Sequence, residues 1–147
     1  MVDCYFKQLD SRAIIPHYAH TGDSGMDVYP LEPFSLKPGD RKLIKLGFAI
    51  SIPTGYEIQV RSRSGLALKK GVCVLNSPGT VDAAYRGELG VTLINTSSKV
   101  YFNDTSQAIA QLVVQKVVKV ELKIVEELNK TERGTNGYGS TDKLAAS

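Results

Sequence analysis

Ile44-Lys45-Leu46-Gly47-Phe48-Ala49-Ile50-Ser51-Ile52 sets a large apolar side chain at every second position, with lysine, glycine, alanine and serine between. Successive side chains of an extended chain point to opposite faces, so this period of two predicts a strand with one face on a core. The period resumes at Tyr56, Ile58 and Val60 against Glu57, Gln59 and Arg61, and Pro53-Thr54-Gly55 has the composition of a turn joining both runs as a hairpin. Lys37-Pro38-Gly39-Asp40 makes a similar break upstream. Val118, Val120, Leu122 and Ile124 alternate with Lys119, Glu121 and Lys123, which predicts another strand. The stretches 89–95 and 109–117 are rich in β-branched residues, and Asn95-Thr96-Ser97-Ser98 and Asn103-Asp104-Thr105-Ser106 bound a short run at 99–102. The expected fold class is all-β, a compact sandwich or barrel. One short helix is expected at Ser64–Lys70, with Ser64 capping a turn that holds Leu66, Ala67 and Leu68 before Gly71 stops it.

The chain has 147 residues, enough for one domain that buries roughly 70% of the surface its unfolded chain exposes. A hydrophobic fraction of 42% and a charged fraction of 22% are ordinary for a soluble globular protein. The net charge of +3 is mild and the basic residues are scattered, which argues against a nucleic-acid polymer as partner but leaves room for a few focused cations on a polyphosphate. No apolar run approaches the ~20 residues that span a bilayer, and the start lacks the basic and apolar regions of a secretory signal. Cys4 and Cys73 are too few and too far apart for a disulfide framework or metal knuckle, so buried thiols in a reducing cytoplasmic or nuclear compartment are expected. His17 and His20 lack a third ligand at a plausible spacing for a metal.

Three segments carry chemistry. Gly79-Thr80-Val81-Asp82-Ala83-Ala84-Tyr85-Arg86-Gly87-Glu88 sets a carboxylate and an aromatic ring three residues apart among small residues. Asp82 by itself also reads as a turn former hydrogen-bonding its own backbone, and Tyr85 as a core or rim residue; their company is what makes them a site. Arg63-Ser64-Gly65-Leu66-Ala67 supplies a cation, a hydroxyl and a glycine at the start of the expected helix, where free N–H groups favour an anion. After Leu128 large apolar residues become rare, so 1–128 is read as the β domain and 129–147 as a flexible arm. A solvated tail has no packing reason to hold Arg133 and Tyr138 among glycines, whereas an arm that closes over a ligand does. Together the segments suggest a nucleotide.

Read in order, the segments resemble the trimeric deoxyuridine triphosphatases, the dUTPases, at all five of that family's motifs over about 9–141. The motifs are Asp23-Ser24-Gly25-Met26-Asp27-Val28, Arg63 to Ala67, Gly79 to Glu88, Ala108-Ile109-Ala110-Gln111-Leu112, and Arg133 to Thr141. The resemblance implies a jelly-roll subunit forming a homotrimer, with active sites built from all three chains and a C-terminal arm reaching a neighbour. It implies hydrolysis of dUTP to dUMP and pyrophosphate with Mg²⁺, which removes dUTP from the nucleotide pool and supplies dUMP for dTMP synthesis. Asp82 looks like the carboxylate that activates water for in-line attack at the α-phosphorus. Tyr85 would stack under the deoxyribose and crowd out a 2′-hydroxyl, and Asn76, with backbone groups of the Gly79 to Glu88 hairpin including Gly79 and Val81, would read uracil. Arg63, Ser64 and Gly65 match the phosphate-facing motif, Gln111 the glutamine near the α-phosphate, and Arg133 the contact to the γ-phosphate. Tyr138 would stack on uracil as the arm of Gly137, Gly139 and Ser140 closes. Mg²⁺ is expected mainly on substrate phosphates and waters, with Asp27 either shaping the region through a cation or water or capping a loop.

Ala108 stands where the family usually has arginine, Tyr138 replaces the usual phenylalanine, Thr135-Asn136 replaces smaller residues, and Asp142 follows Thr141 where glycine is usual. Three rivals remain: a deaminase of the same superfamily acting on dCTP, a module that binds dUTP without turnover, and a generic β-sandwich adhesion domain. The last leaves the arm and the Arg63-Ser64-Gly65 turn unexplained.

Overall fold

A computed structural model of the chain describes residues 2–137. Eleven strands and one helix follow in the order β1 (Tyr5–Gln8), β2 (Met26–Val28), β3 (Phe34–Leu36), β4 (Arg41–Lys45), β5 (Phe48–Ser51), β6 (Tyr56–Arg61), α1 (Ser64–Lys70), β7 (Val72–Val74), β8 (Gly79–Val81), β9 (Gly90–Asn95), β10 (Tyr101–Asn103) and β11 (Ala110–Lys116). The fold is all-β with one short helix, and every strand pair is antiparallel. A four-stranded sheet runs β2-β11-β6-β8, a three-stranded one β4-β9-β7, and β1-β5 and β10-β3 form two-stranded pairs.

Alternation fixes which face is buried. Ile58 and Val60 of β6, Val91 and Leu93 of β9, and Phe34 and Leu36 of β3 turn inward at every second position and join one core cluster with Val28, Ile44, Phe48, Ile109 and Leu112. Full burial of a side chain such as Leu112 or Leu93 contributes roughly 1.5–3 kcal/mol.

The expected strand across 44–52 is broken at Leu46-Gly47 into β4 and β5. Gly47 takes a left-handed φ of 76°, its carbonyl accepts from the Leu9 and Asp10 N–H groups, and its own N–H donates to the Glu88 carboxylate. The chain thereby passes from the three-stranded sheet to the β1 pair without losing its apolar period. Pro53-Thr54-Gly55 is a turn, with Gly55 at φ 92°, yet it does not close a hairpin: β5 pairs with β1, and β6 pairs with β11 and β8. Nor is 79–88 a hairpin, since β8 and β9 lie in different sheets. A strand at 118–124 is overturned as well. Val118, Val120, Leu122 and Ile124 are exposed, and the segment has no regular structure and pairs with no strand among the described residues.

Two polar side chains of the predicted turn clusters are fully buried. Asn95 donates to the Leu36 and Lys99 carbonyls and accepts from the Ser97 N–H and hydroxyl; Asn103 donates to the Tyr101 hydroxyl and the Gln107 carbonyl. Each replaces water at a strand end, so burial leaves no polar atom unpaired among the described residues. The cysteines depart from expectation: Cys4 is exposed and Cys73 half-buried. No helix among the described residues is long and apolar enough to cross a membrane.

Candidate functional site

Helix α1 begins at Ser64 as the sequence predicts, but Ser64 is its first residue rather than its cap. Arg63 occupies the cap position in an extended conformation and makes no side-chain cap bond, so the N-terminal N–H groups have no side-chain partner there. Gly71 ends the helix at φ 65°, its N–H donating to the Ala67 carbonyl.

The freed Arg63 side chain turns toward β2 and β11. Its Nη2 lies 3.0 Å from Asp27 Oδ2, and its Nη1 donates to the Ala108 carbonyl at 3.3 Å. Asp27 is therefore neither a loop cap nor a free carboxylate; it holds the arginine. Register places Gln111 opposite both Asp27 of β2 and Arg61 of β6, and Gln111 Nε2 donates to the Ser62 carbonyl at 3.1 Å. Ser62 in turn accepts the Val74 N–H on its hydroxyl, tying the approach to α1 to β7. Gly25 completes the arrangement, because a Cβ there would collide with Gln111 Oε1 and stand 3.0 Å from its Cβ and Cδ.

Gly25, Asp27, Arg63 and Gln111 line one cleft of about 470 Å³, with Ser64, Gly65, His20, Lys69 and Lys70 on its walls. Asp23 is turned back within its own loop, accepting the His20 N–H at 2.8 Å. His17 is not a partner of His20 in any cluster; it stacks on Tyr29 at 6.0 Å between ring centroids.

Asp82 and Tyr85 sit elsewhere. They line a separate depression of about 290 Å³ with Leu43, Lys45, Val81 and Glu88, which shares no residue with the cleft of Arg63 and Gln111. The Tyr85 N–H closes a turn onto the Asp82 carbonyl, and the Tyr85 hydroxyl donates to the Glu88 carbonyl at 3.0 Å. The ring lies over Gly87, where a Cβ would strike it. Tyr85 remains 46% exposed. Glu88 is pinned by Lys45 at 3.2 Å. Asn76 lies against the buried Gly79, its Nδ2 being 3.4 Å from where a Cβ of that glycine would be.

Arg133 is exposed and donates to the Asn136 carbonyl within its own turn; it lines neither cleft, and Gly137 stands in open space. Tyr138, Gly139 and Ser140 lie outside the described residues. Within one subunit the structure thus joins Asp27, Arg63, Ser64, Gly65 and Gln111, separately joins Val81, Asp82 and Tyr85, and leaves Arg133 apart.

Sequence reasoning did not single out Gly25, Ser62, Glu88, Lys69 or Lys70. The adjacent lysines before Gly71 were a visible signal, since cations at a helix end are either dipole partners or ligands for an anion. Gly25 lies within the first motif, but its reason, the Gln111 side chain across the sheet, is not legible from sequence.

An all-β subunit of antiparallel strands with one short helix places the chain in the jelly-roll class. The chain belongs to the dUTPase family, whose model matches residues 11–142. A deoxyuridine 5′-triphosphate nucleotidohydrolase of Picosynechococcus sp. is 51% identical over 134 residues, covering 91% of this chain and 94% of the relative. One from Clostridioides difficile is 48% identical over 141 residues, covering 96% and 99%. Among solved structures, the Staphylococcus bacteriophage 80alpha dUTPase with dUpNHpp superimposes with a TM-score of 0.87 at 30% identity, covering 95% of this chain and 98% of that one. The D95N dUTPase of phage phi11 of S. aureus, described as coordinating a structural Mg(II) ion, superimposes with a TM-score of 0.80 at 27% identity over 87% and 99% of the two chains.

Proposed function

We propose that this chain hydrolyses dUTP to dUMP and pyrophosphate, as a homotrimer in the cytoplasm, or in the nucleus of a host cell that has one. Family membership over nearly the whole chain carries the reading, and the Arg63–Asp27–Gln111 cleft supports it residue by residue.

The reaction adds water to the α-phosphorus and breaks the bond to the bridging oxygen of the β-phosphate, releasing pyrophosphate. Asp82 is the base in this reading. Its carboxylate orients the water and accepts its proton as oxygen bonds to phosphorus. Little else in phosphoryl transfer is covalent; the remaining task is positioning and charge neutralisation. Arg63, held by Asp27 and the Ala108 carbonyl, faces the phosphates with Ser64 and Gly65, and Gln111 orients the α-phosphate. Tyr85 packs beneath the deoxyribose and leaves no room for a 2′-hydroxyl, while Asn76 and the backbone around Gly79 and Val81 read uracil. Arg133 takes the γ-phosphate, and Tyr138, Gly137, Gly139 and Ser140 belong to the arm, 129–147, that closes on the 1–128 domain.

Asp82 and Arg63 line different depressions of one subunit, so the site is complete only if a second copy brings its own cleft to the Asp82 depression. The exposed apolar row Val118, Val120, Leu122 and Ile124, which has the alternation of a strand but no partner edge, supports such an assembly.

Among the described residues no group of three or more His, Cys, Asp or Glu is placed to hold a metal ion, and Asp27 and Asp23 already have partners. In this reading Mg²⁺ would be held by phosphate oxygens and waters, where it would supply positive charge against the triphosphate.

The test is release of pyrophosphate and ammonia from dUTP, dCTP, dTTP and UTP in parallel with Mg²⁺. Pyrophosphate from dUTP alone is expected. Ammonia from dCTP would select the deaminase, and binding of dUTP without any release would select the regulatory module.

A further inference from the structure

We infer that Lys69 and Lys70, at the end of α1, form a cation subsite that receives the terminal phosphates of a nucleotide in the Arg63 cleft alongside the Arg133 contact to the γ-phosphate; the inference deepens the proposed dUTP reading and rests on it. Arg63 Nη2 is 3.0 Å from Asp27, whose side chain is only 15% exposed, so much of that guanidinium's charge is matched inside the protein. Its Nη1 is spent on the Ala108 carbonyl. An arginine fixed in this way is a directional donor, and it brings little net charge to an anion carrying several negative charges. Asp23 adds a further carboxylate to the cleft wall.

Lys69 and Lys70 line the same cleft, and among the described residues neither has an ion-pair partner or a side-chain hydrogen bond. At position 108, which borders them in the cleft, the side chain is a buried alanine that contributes no charge. The lysines are thus the uncommitted full positive charges on this wall. They also face the adjoining groove, where Lys99 raises the local potential. An ammonium on a four-carbon stem suits this task, since it can follow a mobile phosphate end without a fixed fork geometry. The alternative is that both lysines only complement the α1 dipole at its C-terminus, a role that affects helix stability and not anion affinity.

The experiment compares the full-length protein with Lys69→Gln/Lys70→Gln and with Lys69→Arg/Lys70→Arg. Binding of inorganic pyrophosphate is measured by calorimetry and dUTP hydrolysis by initial rates, with dUMP as a competing product. The glutamine variant should bind pyrophosphate about tenfold more weakly and raise KM for dUTP by a similar factor, with kcat within about twofold and inhibition by dUMP unchanged. The arginine variant should keep wild-type pyrophosphate affinity. Unaltered pyrophosphate affinity and KM in the glutamine variant would overturn the subsite, as would equal weakening of dUMP. Pyrophosphate binding is read without turnover, so a chain inactive on dUTP would sink the proposed reaction while the lysine comparison still decided the subsite.

Discussion

Gly25→Ala isolates what Gln111 does from what keeps the protein folded. Gly25 has no left-handed φ, so alanine meets no backbone strain there, and the loss of unfolded-state freedom stabilises by about 0.4–1 kcal/mol. Against that stands one side chain. The new Cβ would overlap Gln111 Oε1 and press on the Gln111 Cβ and Cδ at 3.0 Å, and contacts near the root of a side chain cannot be relieved by moving its tip alone. Gln111 must leave its rotamer or its hydrogen bond to the Ser62 carbonyl, at a cost of about 0.5–1.5 kcal/mol for the first and about 1 kcal/mol for the second. The two sides nearly cancel, so net stability should change by no more than about 1 kcal/mol, equivalent to a melting shift of a few degrees at this chain length. Catalysis has no such compensation. If Gln111 orients the α-phosphate as proposed, loss of even one charge-assisted hydrogen bond, about 1.5–3 kcal/mol, predicts a fall in kcat/KM of at least about tenfold. Thermal melting is to be read beside pyrophosphate release from dUTP for Gly25→Ala, Gln111→Ala and the double variant. The double variant should lose no more than Gln111→Ala alone, because both changes act on one group. Full activity in Gly25→Ala, or additive losses in the double variant, would refute the claim that Gly25 exists to make room for Gln111.

Asp82→Asn, nearly isosteric but unable to accept a proton, should keep dUTP binding and lose at least about 10²-fold in kcat; single-turnover kinetics showing normal chemistry would remove Asp82 as the base. Truncation after Leu128 should leave a folded β domain by circular dichroism with crippled turnover, and normal kinetics would end the reading of 129–147 as a closing arm. Ala108→Arg adds a cation beside the Arg63 cleft and should lower KM for dUTP several-fold, whereas unchanged kinetics would mean the lysine pair already saturates that demand. On the surface, hydrogen bonds from the Arg12 side chain hold the Asp10 carboxyl down to about 2. A lowered carboxylate contributes stability above its ordinary range and loses it as pH falls toward 2, so wild type and Asp10→Asn should differ in urea midpoint at pH 5 and converge near pH 2. A constant difference over that span would exclude the ionised pair as its source.

Much of the fold was legible because period and punctuation are local. The alternation at 56–60, the β-branched run at 109–117, and Gly71 after a short helical stretch each fixed an element within a residue or two of its position. The site residues were legible as motifs, since Arg63-Ser64-Gly65 and Asp82 with Tyr85 each lie within a few positions of sequence. Partnership was not. Whether 44–52 is one strand or two depended on Gly47 meeting Glu88, 41 residues away, and whether 118–124 is a strand depended on a pairing that it does not make among the described residues. Likewise the sequence leaves Asp27 between shaping the region through a cation or water and capping a loop, and it places Gly25 in a motif without saying what the glycine is for. Only the pairing of β2 with β11 brings Asp27 to Arg63 and Gly25 under Gln111. Sequence determines what each segment can become, because propensity and alternation act between neighbours along the chain. Tertiary structure decides which charges are already matched and which remain for a ligand, because hydrogen bonds and ion pairs act through space over a few ångströms, without regard to distance along the chain.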